Sequence, residues 1–174
     1  MNKPYLIIVT GAPGSGKSTF VKKLSKELSL PYISRDELKE GYVDTMGKSH
    51  DELPPDTNKI ITELFFGTIE QHLLEGASLI AEAAFQHKVW SHFLSPMMDK
   101  CELKVLICKT DKALERRKSR AEADPKHEYY HGKADFSEIA YEEPKLCEES
   151  YHIDTTEKYS PSLEEIKEII FKGE

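Results

Sequence analysis

Cysteine is scarce in this chain of 174 residues: there are three, Cys101, Cys108 and Cys147. An odd number at no metal-like spacing argues against a disulfide framework or a zinc ribbon, and it fits reduced thiols in a cytoplasmic protein. Long apolar runs are also missing. None approaches the roughly 20 residues of a membrane span. The N-terminal run, about five residues long, is too short for a secretory leader and leads straight into a glycine-rich loop. Positive charge is in deficit, since 24 Lys and Arg against 31 Asp and Glu leave a net charge of −7. That balance argues against gripping a polyanion as the main task, so nucleic acid is a possible partner but not the favoured one. No repeat and no low-complexity tract interrupts the sequence, and its length suits one domain over residues 1–174 with a sizeable core.

What the chain does have is a single strong motif. Gly11, Ala12, Pro13, Gly14, Ser15, Gly16, Lys17 and Ser18 spell G-x-x-x-x-G-K-S, followed by Thr19. Before them stands the apolar run Tyr5 to Val9, and after them the amphipathic run Phe20 to Leu28, the strand and helix context that the motif requires. Each letter has a physical reason. Backbone N–H groups around Pro13 to Lys17 can turn inward as an anion nest, with the positive end of the following helix behind them. Glycines let the backbone approach a phosphate without a Cβ in the way. Lys17 would reach β- and γ-phosphates, and the Ser18 hydroxyl would ligate magnesium.

Periodicity predicts strands at Tyr5–Thr10, Pro31–Ser34, Ser78–Ala81, Leu103–Cys108 and Tyr151–Asp154. Helices are predicted between them: from Lys17 with Phe20, Val21, Leu24 and Leu28 inward, from Asp36 to Gly41, from Asp56 or Thr57 to Gly76, over Val89–Met98 with an interruption at Pro96, from Asp111, and after Ser160-Pro161. Tyr42 to Pro55 reads as a mobile polar loop. Residues 121–141 hold few aliphatics and read as a lid or excursion. Five alternations of strand and helix imply an α/β protein with a five-stranded parallel sheet, helices on both faces, and a small lid.

Open parallel sheets bind ligands at the carboxyl ends of their strands, where Asp36 would stand beside the phosphate loop. A carboxylate there can take the proton of an acceptor hydroxyl during phosphoryl transfer, or it can serve as a helix N-cap. Arg35 would hold the acceptor or face solvent. Glu82 closes a buried strand, which is costly without a partner and marks a site. Arg116 and Arg120 are four apart on one helical face, with Arg117 competing.

Gly11 to Asp36, reading G-A-P-G-S-G-K-S-T-F and then P-Y-I-S-R-D-E-L, resembles the P-loop kinases that include polynucleotide 5′-kinases, chloramphenicol phosphotransferases and zeta-toxin-like sugar-nucleotide kinases, small AAA-type ATP-binding enzymes. The resemblance is strong over the first 40 residues and is a pattern of spacing thereafter. It implies the three-layer P-loop NTPase fold, ATP and magnesium as cofactors, and phosphorylation of a hydroxyl with Lys17, Asp36, Arg116 and Arg120 as catalytic residues. It further implies Asp36 as general base, Arg35 and Glu82 toward the acceptor, an acceptor-binding region over about residues 37–75, and an adenine cup from Thr155 to Tyr159. A small molecule, nucleoside or sugar nucleotide is the favoured acceptor and a polynucleotide 5′-hydroxyl the alternative. No feature of the sequence speaks to oligomeric state.

Two other motifs compete. His127-Glu128-Tyr129-Tyr130-His131 spells the zinc-protease H-E-x-x-H, but Pro125 and Gly132 bracket it and no apolar face supports a buried helix. Cys108-Lys109-Thr110-Asp111 approaches a guanine-reading motif of GTPases with the wrong first residue.

Overall fold

The structure is a computed structural model, which describes residues 3–137 and 140–172. Residues 138 and 139 of the expected lid lie outside the described residues. Five strands, β1 (Tyr5–Thr10), β2 (Tyr32–Ser34), β3 (Leu79–Glu82), β4 (Glu102–Lys109) and β5 (Ser150–Asp154), form one parallel sheet in the order β2-β3-β1-β4-β5. Strand β1 therefore has β3 on one side and β4 on the other, and its carboxyl end opens where the strand order reverses.

The alternation of side chains along β1 builds two cores. Leu6 and Ile8 pack with Phe65, Ile69, Trp90 and Leu94 on one face; Ile7 and Val9 pack with Phe20, Leu24, Ile166 and Ile170 on the other. A strand covered on both faces is a continuous apolar run, which is why Tyr5–Val9 shows no polar alternation. Helix α1 (Lys17–Leu28) and helix α7 (Leu163–Ile170) cover one face, α3 (Thr57–Leu74) and α4 (His87–Leu94) the other. The α/β reading and the strand assignments hold to within a few residues.

Several expectations along the chain are corrected. Helix α2 (Arg35–Met46) does not stop at Gly41; it continues for five residues to a left-handed cap at Gly47, φ 62°. Buried Val43 and the buried methylene stem of Lys39 fasten it, which outweighs the roughly 1 kcal/mol cost of a mid-helix glycine. Much of the expected mobile loop is thus helix, and a 3-10 turn at His50–Glu52 with a Ser49–Glu52 capping box orders more of it. Ser34, not Asp36, caps α2: its hydroxyl accepts the Glu37 amide. Helix α4 ends at Leu94, and Ser95–Lys100 continue as 3-10 structure around Pro96. Helix α5 (Ala113–Ala123) runs into the expected lid, which then forms a short helix α6 (His127–His131). No helix among the described residues is long and apolar enough to cross a membrane.

Candidate active site

The loop between β1 and α1 turns on two glycines whose places no other residue could take. Gly14 and Gly16 have φ of 84° and 85°, and a Cβ on Gly14 would lie 2.3 Å from the Ala113 carbonyl oxygen. A Cβ on Gly16 would meet the Thr155 hydroxyl at 3.0 Å and an Arg116 nitrogen at 3.1 Å. Lys17, 7% exposed, donates from Nζ to the Ala12 carbonyl at 3.1 Å, curling over the loop. Burial lowers its pKa from the ordinary lysine value, against the attraction of Glu82 and Asp36. Ser15 Oγ is buried with no partner. The Ser18 hydroxyl is half-buried at the mouth of a cleft.

That cleft, about 250 Å³, is lined by Pro13, Gly14, Gly16, Lys17, Ser18, Asp36, Ala84, Arg117, Arg120, His127, His131 and residues 132–136. A second cleft of about 590 Å³ shares Gly14, Gly16 and Arg120 and continues past Thr19, Arg116 and Thr155 to Tyr159. Sheet register explains the meeting. Ser34 pairs with Glu82 and Glu82 with Val9, so the carboxyl ends of β2, β3 and β1 come level beside the loop.

The three arginines of α5 divide. Arg116 donates to the carbonyls of Thr155 at 2.6 Å and Thr156 at 3.0 Å, holding the turn after β5. Arg117 bonds the carbonyls of Ser137 and Asp135, holding the excursion. The Arg120 guanidinium makes no hydrogen bond or ion pair among the described residues, and Arg120 lines both clefts. Thr155 Oγ1 donates to the Ser15 carbonyl at 2.6 Å, tying the last strand's turn to the phosphate loop.

Asp36 is half-exposed at the first cleft, its Oδ1 3.6 Å from Arg35. Arg35 does not line either cleft; its Nη2 donates to Asn58 Oδ1 at 2.8 Å. Glu82 lies behind Lys17, 1% exposed, accepting from Ser34 Oγ at 2.6 Å. Burial raises its carboxyl pKa, opposed by Lys17 and the Ser34 bond. Of the residues selected from sequence, Lys17, Ser18, Asp36 and Arg120 share the first cleft, Thr19, Arg116 and Thr155 line the second, and Arg35 and Glu82 stand behind.

Sequence reasoning missed Tyr141. Thr10 Oγ1 donates its one hydrogen to the Ala83 carbonyl at 2.8 Å, so the 2.6 Å contact with Tyr141 must be donated by the tyrosine. Tyr141 Oη accepts from the Gly11 amide, and Trp90 Nε1 also donates to Thr10. The end of the excursion is thereby pinned to the first residue of the phosphate loop. A tyrosine in a polar stretch carries no sequence signal for this.

The His127 and His131 rings lie 5.2 Å apart, tilted by 45°, and His131 Nε2 lies 3.1 Å from Glu40. Among the described residues no three His, Cys, Asp or Glu side chains gather as a metal site. Lys109 of the GTPase-like stretch pairs with Glu143 at 2.8 Å, away from the clefts.

Comparison with known proteins decides the family, for the profile of the AAA domain matches residues 6–137. The chain belongs to the AAA-domain family. A candidate kinase from Chloroflexus aurantiacus j-10-fl superposes with a TM-score of 0.84 at 24% identity, covering 98% of each chain. The APS kinase of Mycobacterium tuberculosis, solved with AMPPNP and APS, superposes at 0.63 and 14% identity over 98% of this chain and 99% of that one. Such likenesses show the fold, that of the P-loop kinases. A cytidylate kinase of Sulfurisphaera tokodaii is 66% identical over 29 residues, 17% of this chain and 16% of that relative's length.

Proposed function

We propose that the protein is an ATP-dependent phosphotransferase acting on an alcohol group, with a small molecule, nucleoside or sugar nucleotide as acceptor. The observation that carries this is that a half-exposed carboxylate, Asp36, faces the same cleft as Lys17, Ser18 and the unengaged Arg120. A motor or switch needs the loop; transfer to an acceptor also needs a base across from it. A nucleoside triphosphate fits the residues present. The partnerless Ser15 hydroxyl and the glycine turns supply donors and close approach for phosphate oxygens, and the second cleft, walled by Arg116, Thr155 and Tyr159, has room for a base.

In this reading Lys17 and the loop amides would hold the β- and γ-phosphates, and the Ser18 hydroxyl would hold magnesium, which would supply charge neutralisation. The acceptor oxygen attacks the γ-phosphorus while Asp36 takes its proton; the bond from that phosphorus to the β–γ bridging oxygen breaks and ADP leaves. Arg120 meets the charge spread over the transferring group. Residues 121–141 form the lid, which excludes the water that competes as acceptor, and residues 37–75 shape the acceptor side. The chain acts as one kinase domain in the cytoplasm.

Two measurements test this. Melting with magnesium and ATP, GTP or zinc should show stabilisation by ATP; a response to GTP alone or to zinc overturns the reading. With an acceptor found by screening hydroxyl compounds for ATP consumption above the hydrolysis rate, Asp36→Asn should lower turnover about 10²–10⁴-fold with ATP affinity kept. Equal loss in both would refute the base.

A further inference from the structure

Between α2 and the start of α3 lie polar groups that neither cleft uses. Lys39, 5% exposed, has no hydrogen bond or ion pair. Thr57, 3% exposed at the first position of α3, has a buried hydroxyl with no partner. Arg35 Nε and His50 Nδ1 are buried and partnerless as well. The groups share one neighbourhood. Arg35 is bonded to Asn58 in the first turn of α3, Lys39 feels the charges of Arg35, Asp36 and Asp51, and His50 feels those of Lys39, Arg35, Asp51 and His131.

The helix end at this place is open. Asp56 stands at the N-cap of α3, yet its side chain accepts no amide, whereas Ser34 caps α2 and Ser162 caps α7. The Thr57 amide bonds the Pro54 carbonyl, but the amides of Asn58 and Lys59 in the first turn of this 18-residue helix have no cap, and Arg35 is bonded to the Asn58 side chain there. Arg35 is held by Asp36 at 3.6 Å, but the Lys39 ammonium has no carboxylate within ion-pair distance among the described residues, and burying it so is disfavoured unless an anion completes the set. Burial, reinforced by Arg35 and opposed by the more distant Asp36 and Asp51, pushes the Lys39 pKa down.

We infer that Lys39, Arg35, Thr57 and the first turn of α3 form a subsite for an anionic substituent of the acceptor: a phosphate, a sulfate or a carboxylate. This deepens the kinase reading and rests on it for what carries the anion. Lys39 follows Asp36 by three residues on the same face of α2, so an acceptor anchored here presents a neighbouring hydroxyl to the Asp36 carboxylate. The acceptor is thus a hydroxyl compound that already bears a negative group. His50, its Nδ1 partnerless, feels Lys39 and Arg35, and burial followed by the Lys39 charge lowers its pKa.

The test fills the phosphate loop with AMPPNP and magnesium, then titrates inorganic phosphate and, separately, acetate. Calorimetry and melting are read on the wild type, Lys39→Met and Thr57→Val. Saturable phosphate binding is expected in the wild type, weakened roughly tenfold or more by Lys39→Met and less by Thr57→Val. Lys39→Met without ligand should melt above the wild type, since a partnerless buried charge has gone. A structural Lys39 gives the opposite pattern, a lower melting point and unchanged phosphate binding, and overturns the subsite. So does a loaded wild type indifferent to both anions. Acetate acting like phosphate assigns a carboxylate-sized anion, and phosphate alone assigns a phosphoryl or sulfuryl group. If AMPPNP itself gives no stabilisation, it is the kinase reading that fails. Phosphate titrated without nucleotide then still reads the subsite through the difference between wild type and Lys39→Met.

Discussion

Around the phosphate loop the chain is fastened to itself: Thr155 Oγ1 to the Ser15 carbonyl at 2.6 Å, Lys17 Nζ to the Ala12 carbonyl at 3.1 Å, and Tyr141 Oη to Thr10 at 2.6 Å. Across the cleft, where α2 meets α3, Arg35 Nε, His50 Nδ1 and Thr57 Oγ1 are buried with nothing to bond. Apart from the partnerless Ser15 hydroxyl, the loop side is tied up before a ligand arrives, and the other side is left for a ligand to finish. A triphosphate has one shape, so rigid donors placed in advance lower its binding cost. An acceptor side that sets specificity keeps donors unpaired, so that a molecule lacking the matching group leaves them buried and unsatisfied.

The largest break in this contrast comes from Lys17. Lys17→Ala removes a charge from the finished side and should lower turnover by about 10³-fold or more, because the transferring charge loses its fixed partner. The fold should persist, since burial already works against the lysine's charge. ATP consumption and circular dichroism on the same preparation check both halves. Full activity would remove the loop from the chemistry.

The α5 arginines sharpen the contrast within a single helix. Arg116 is spent on the Thr155 and Thr156 carbonyls, so Arg116→Ala should cost about 1–3 kcal/mol of stability. Arg120 is unengaged, so Arg120→Ala should leave the melting temperature alone and lower turnover by about 10²–10³-fold. Melting curves and kinetics on both variants decide; the reverse pattern would exchange their roles.

The same contrast governs what could be read in advance. The loop was legible because its chemistry demands fixed residue types at fixed offsets, and the strands because burial on both faces writes a continuous apolar run. Helix α2 beyond Gly41 was not legible. Its stability comes from Val43 and the Lys39 stem buried where α2 meets α3, and a mid-helix glycine with polar neighbours reads locally as an end. Asp36 was readable as base or cap, and only the Ser34–Glu37 bond shows that the cap is taken. The Tyr141 pin and the Arg35–Asn58 bond join residues 130 and 23 apart in sequence, Gly11 with Tyr141 and Arg35 with Asn58, and no local pattern encodes such meetings.

Glu82 belongs to the finished side and offers the smallest test. Its buried carboxyl has a pKa raised above the ordinary 4.5, so the folded state holds a proton that the unfolded chain releases. Wild-type stability therefore falls as pH rises from about 4.5 through the folded pKa and levels above it. Glu82→Gln keeps an acceptor for the Ser34 hydroxyl and abolishes this titration. The variant should melt close to the wild type at pH 4 and, on the order of a few degrees, above it at pH 8. Lys17 acts in the opposite sense, its lowered pKa making stability rise with pH from its folded pKa up to the ordinary lysine value of 10.5, and the comparison is therefore made between the two proteins at each pH, since both carry this lysine. A Gln variant that melts below the wild type at pH 8 would mean that the Glu82 charge is held by Lys17 more strongly than burial opposes it. The two groups would then be an ion pair at the back of the loop, and the lysine's reach toward phosphate would be set by Glu82 as well as by the Ala12 carbonyl.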